Sequence, residues 1–115
     1  MKRFILFLVF LLCITSTAHA APFTLSWTAP TTNEDGTPLT DLGGYRLYYG
    51  IAPGIYSVTL DVGNVTTSIV ELPPDVRYYF AVTAYDTGGN ESAFSNEVSK
   101  IKYLDPAAPL NLQVQ

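Results

Sequence analysis

The run Tyr78-Tyr79-Phe80-Ala81-Val82-Thr83-Ala84-Tyr85 constrains this chain more than any other stretch. As an extended strand it puts Tyr78, Phe80, Val82 and Ala84 on one face and Tyr79, Ala81, Thr83 and Tyr85 on the other. Aromatic and β-branched residues at that density suit a pleated, half-buried surface. The same period of two recurs along the chain. Phe23, Leu25 and Trp27 alternate with Thr24 and Ser26, and Tyr45, Leu47 and Tyr49 should point inward while Arg46 and Tyr48 point out. Shorter strands are expected over Tyr56–Val62 and Thr66–Leu72, with Ile69 the core residue of the second. A return strand is expected over Ser95–Lys102, after a Gly88-Gly89-Asn90 hairpin. Turn residues at Pro30, Gly50, Pro53-Gly54, Gly63-Asn64 and Pro73-Pro74-Asp75 fall roughly every 8 to 12 residues, the rhythm of an all-β sandwich. No apolar stripe of helical period outlasts one turn.

Composition narrows the chemistry once the start of the chain is set aside. Met1-Lys2-Arg3 is basic, Phe4 to Ile14 is apolar throughout, and Ala18-His19-Ala20 has the Ala-x-Ala form of a cleavage site. Residues 1–20 therefore read as a signal peptide cut between Ala20 and Ala21, leaving a mature form that is secreted or periplasmic. The eleven apolar residues would rise only about 16 Å as a helix, roughly half a bilayer core, so no membrane anchor is expected in the mature form. Leu12 before Cys13 is too large for a lipoprotein cleavage site.

The only Cys, His and Met leave with the leader. So do Lys2 and Arg3, which leaves 4 basic side chains against 10 acidic ones, about −6. That composition excludes thiol or imidazole nucleophiles, Cys or His metal sites and disulfides from residues 21–115. It also argues against nucleic acid as a partner, because phosphate neutralisation needs clustered Lys and Arg. No cofactor is expected.

Four segments in order carry a family likeness: Leu25-Ser26-Trp27-Thr28-Ala29-Pro30, Gly44-Tyr45-Arg46-Leu47-Tyr48-Tyr49, Leu72-x-Pro74-x-x-x-Tyr78-x-Phe80-x-Val82-x-Ala84, and Ser95-Asn96-Glu97-Val98. Together they resemble a fibronectin type III domain, most of all the single-domain versions of exported bacterial proteins. The resemblance implies an immunoglobulin-like β-sandwich over residues 21–102, with Trp27, Tyr45, Leu47, Tyr78, Phe80 and Val82 in its core. It makes Tyr78 a tyrosine corner, its hydroxyl bonding backbone near Leu72 to Pro74. Asp75-Val76 stands where Gly-Thr is common.

The resemblance also implies a first strand that the chain lacks before Phe23. Its pattern occurs instead in Pro106-Ala107-Ala108-Pro109-Leu110-Asn111-Leu112-Gln113-Val114, so the first strand is expected to be displaced to the C-terminal segment 103–115. Three arrangements are open: the segment completes its own sandwich, completes a neighbouring copy, or stays unpaired. Tyr103 to Ala108 spans about 20 Å when extended, against about 26 Å for an eight-residue strand.

Candidate sites are few. Arg46, Tyr48, Tyr79 and Tyr85, with Thr83, share the outward face of neighbouring strands, where exposed tyrosines could stack on a sugar or anchor a protein. They could equally be ordinary cross-strand pairs. Glu34, Asp35, Asp41, Asp86 and Glu91 gather in loops at one pole, in a spacing that matches no calcium loop. Paired carboxylates are the only enzymatic chemistry left open, and they need a cleft. The expected function is a non-catalytic exported module contacting an extracellular protein or glycan. The alternatives are an assembly subunit that polymerises by donating residues 106–115, and a small carboxylate-dependent hydrolase.

Overall fold

A computed structural model describes residues 19–115, so the leader expected over residues 1–20 lies almost wholly outside the described residues. Six strands follow one another: β1 (Ala21–Ser26), β2 (Leu42–Gly50), β3 (Val58–Gly63), β4 (Thr67–Leu72), β5 (Arg77–Asp86) and β6 (Val98–Ile101). Among the described residues there is no helix. The strands form a two-stranded sheet, β1-β4, and a four-stranded sheet in the order β3-β2-β5-β6. All pairings are antiparallel. The molecule is an all-β sandwich, as the alternation predicts.

The core forms where the inward faces meet. Phe23 from β1, Leu47 from β2, Val70 and Leu72 from β4, and Tyr78 and Phe80 from β5 are buried against one another. Phe23 meets Tyr78 edge-on at 5.5 Å and Phe80 at 5.7 Å, tying the small sheet to the large one. Tyr45 and Leu47 are 1% and 0% exposed. Val82 packs half-buried on this cluster. Trp27 lies just past the end of β1 and is half-buried, with its ring 5.4 Å from Tyr45.

Two expectations need correction. Ile69 is not in the core but 62% exposed, while Val70 and Leu72 are buried. Strand parity is the reason: Val70 stands opposite Phe23, so Ile69 must share the outer face with Thr67 and Glu71. Tyr78 is buried as a corner tyrosine should be, but no hydrogen bond from its hydroxyl to Leu72–Pro74 occurs among the described residues. Asp75 closes the corner instead. It adopts a left-handed backbone, φ 67, which Asp tolerates better than most residues. Its N–H donates to Lys102 O at 2.7 Å, and its Oδ1 accepts the Leu104 N–H at 3.3 Å.

The displaced first strand is not found within one molecule. Residues 102–115 contain no strand, and Leu110, Leu112 and Val114 are 84%, 97% and 96% exposed. Among the described residues β1 is paired on a single edge.

Candidate functional site

The outward face of β2 and β5 holds the one dense polar and aromatic constellation that the sequence pointed to. Strand alternation turns Arg46 and Tyr48 to the same side as Thr83 and Tyr85, and the register sets Arg46 opposite Thr83. What joins them is Glu91, from the loop after β5. Its Oε1 pairs with Arg46 Nη1 at 3.1 Å, and its Oε2 accepts the hydroxyls of Thr83, at 2.6 Å, and of Tyr48. The Arg46 guanidinium lies 4.4 Å from the centre of the Tyr85 ring, and the Tyr85 hydroxyl donates to Asp61 at 2.9 Å. Tyr79 stands apart, opposite Gly50 and Ser99.

The segment between β5 and β6 makes this possible. Ser92 and Ser95 N–H donate to Ala84 O and Val82 O, both at 2.8 Å. Their hydroxyls accept the N–H of Ala84 and Val82, both at 2.9 Å. The serine hydroxyls stand in for strand carbonyls, so β5 stays satisfied while the chain bends out of register. That bend drops Phe94 onto the outward face, 4.8 Å from Tyr48 and 5.3 Å from Tyr56. Glu97 then takes the Tyr56 hydroxyl at 2.6 Å and the Gly54 N–H at 2.7 Å. The return strand expected from Ser95 therefore begins only at Val98.

Glu91, Asp61, Tyr56, Phe94 and Glu97 were not foreseen as members of this face. Glu91 reads from the sequence as part of an acidic loop cluster; the Ser92-x-x-Ser95 spacing is the one signal that would have marked an interrupted strand. Electrostatics shows what the network does. Hydrogen bonds from Thr83 and Tyr48, then the charge of Arg46, hold the Glu91 carboxyl below its ordinary value of 4.5. A depressed carboxyl stabilises the fold fully above its unfolded value, and that contribution is lost as pH falls through the folded value. The contribution of Glu91 therefore begins to fade as pH drops below about 4.5 and is lost only at the lower pH where Glu91 itself protonates in the folded state. Tyr56 shifts the opposite way: burial first, then its bond to Glu97, pushes it up to about 12.

The acidic pole offers a cavity of about 590 Å³, lined by Glu34, Asp86 and Glu91 among others. Two of these carboxylates, Asp86 and Glu91, are engaged internally. Asp86 accepts from Asn90 N–H at 2.8 Å, Asn90 Nδ2 at 3.0 Å and Gly88 N–H at 3.0 Å, which hold its pKa below the ordinary value. Among the described residues no group of three or more His, Cys, Asp or Glu is arranged to hold a metal ion.

The strand order and the core of Phe23, Tyr45, Leu47, Tyr78 and Phe80 agree with the outcome of comparison. The family model for the fibronectin type III domain matches residues 12–101. The chain is 40% identical over 87 residues to chitinase A1 of Niallia circulans, covering 75% of this chain and 11% of that protein. It is 37% identical over 68 residues to the amylopullulanase of Thermoanaerobacter thermohydrosulfuricus, covering 57% of this chain and 4% of that one. The chain thus spans a small fraction of the curated relatives it matches. No solved structure matches it. With a family model covering most of its length and a two-plus-four sheet arrangement to match, the chain belongs to the fibronectin type III family.

Proposed function

We propose that the mature chain, beginning at Ala21, is an exported, non-catalytic module that works through its surface, as a binding or structural element for a protein or glycan outside the cytoplasm. The basic, apolar and Ala-x-Ala succession of residues 1–20 supports export. Relatives named chitinase A1 and amylopullulanase suggest a polysaccharide setting, and the share matched is a small part of each.

One observation carries the non-catalytic reading. A carboxylate hydrolase needs one carboxyl held protonated, its pKa raised. Here every carboxyl whose pKa departs from its ordinary value departs downward: Asp35, Asp61, Asp86 and Glu91. Each is held by hydrogen bonds from its own fold. The test is to incubate residues 21–115 with chitin and with pullulan and to measure reducing ends. No release above the protein-free rate is expected. Release that disappears in Glu91→Gln or Asp86→Asn would overturn the reading.

A further inference from the structure

Among the described residues β1 pairs with β4 on one edge and has no partner on the other. Trp27 N–H donates to Thr66 O at 3.0 Å, which sets the parity of the ladder. Phe23 and Leu25 turn their backbone groups to β4, and Thr24 and Ser26 turn theirs to the open edge. Beside that edge the sandwich gapes. A groove of about 390 Å³, lined by Leu25, Trp27, Leu47, Phe80, Val82 and Val98, runs between β1 and β6. Its floor is the hydrophobic core itself. Val98 on its far rim is 47% exposed, and the Trp27 indole N–H is buried without a partner.

The same chain holds the complementary element unused. Leu110, Leu112 and Val114 are the most exposed large apolar side chains among the described residues. Asn111 and Gln113 separate them, so as a strand the segment has one apolar and one polar face. Such a row invites burial, and an unpaired strand edge is a template for it.

Chain length bears on where they meet. The segment leaves the sandwich at the Ala21 end of β1, where Leu104 is tied to Asp75 and where Ala21, Pro22, Tyr103 and Leu104 line a common cavity. An antiparallel partner of β1 must enter at the Ser26 end, about 17 Å from Ala21 over five steps, and then turn back. The six steps from Leu104 to Leu110 reach at most about 21 Å fully extended, which leaves almost no slack for the turn. Pairing with its own β1 would hold the segment taut, whereas a second molecule carries no such tether.

We propose that residues 110–114 of one copy seat as an antiparallel strand on the β1 edge of a second copy, with Leu110, Leu112 and Val114 filling its groove. Asn111, now at φ 58, moves to extended backbone on docking. Donor and acceptor are different surfaces, so the interface is heterologous: two copies close by exchanging segments, or they continue as a chain.

Light scattering on size-exclusion fractions of residues 21–115, across a concentration series, tests this. The expected mass is that of two or more copies, falling to one copy in Leu110→Asp/Leu112→Asp. Thr24→Pro removes an outward N–H from the edge and should also give one copy. Mixed together, these two variants should form a one-to-one pair, because one keeps its edge and the other its donor segment. Wild type that stays a single copy at every concentration overturns the proposal, as does assembly that persists in the Leu110→Asp/Leu112→Asp chain. The latter changes only solvent-exposed positions, so that comparison holds even if Thr24→Pro fails to fold.

Discussion

Phe23→Ala is expected to lower folding stability by about 3–5 kcal/mol, the usual cost of truncating a buried phenylalanine. Phe23 is 2% exposed and stands on the smaller, two-stranded sheet. Its ring packs on both Tyr78 and Phe80, so it is the main wedge by which that sheet grips the larger one. The cavity left behind would open toward the groove already present beside Leu25. A small domain is stable by only about 5–15 kcal/mol, so the variant should sit near the unfolding threshold. Urea unfolding reads this as a midpoint shifted far down with an unchanged slope. Ile69→Ala, one position from the buried Val70, should stay within about 0.5 kcal/mol of wild type, because Ile69 faces outward. Equal losses in the two variants would mean the β1–β4 register is wrong.

Gly50→Ala is expected to be the most damaging single methyl. A Cβ there would lie 2.2 Å from Ile55 O and 3.2 Å from Ser57 N, both backbone atoms. No side chain can rotate out of the way, so the turn between β2 and β3 must shift. Overpacking of this kind costs about 1–3 kcal/mol and more when the backbone cannot yield. Gly88→Ala is the control, since its Cβ would meet nothing closer than 3.4 Å. Thermal melts should show a large drop for the first and almost none for the second. Similar melts would show that the Ala52–Ser57 turn is not packed against Gly50.

The sheet faces were legible because their residues alternate cleanly. Tyr45, Leu47, Tyr78 and Phe80 each have polar or turn residues nearby that fix which way the strand faces, and all four are buried. Ile69 misled because hydrophobicity alone was weighed there. Glu71, two residues on, had to face water and so carried Ile69 outward with it. The outward face was half legible. Arg46, Tyr48 and Tyr85 were grouped by strand parity, but Glu91 and Phe94 join them only because Ser92 and Ser95 replace strand carbonyls. Such side-chain mimicry of a ladder leaves no periodic trace. The apolar alternation of Leu110, Leu112 and Val114 has the pattern of a strand, but residues 102–115 form none within one molecule. Its pairing depends on where the chain exits the sandwich, which the Asp75–Lys102 and Asp75–Leu104 contacts set.

The central claim is that the outer edge of β1 has no partner in a single copy of residues 21–115. Amide hydrogen exchange on residues 21–115, diluted until light scattering gives the mass of one copy, tests it most directly. The amides of Phe23 and Leu25, which face β4, should exchange slowly. Those of Thr24 and Ser26, which face the open edge, should exchange fast, together with residues 110–114. Slow exchange at Thr24 and Ser26 in the single copy would contradict the account, because a strand of the same molecule would then already occupy the edge.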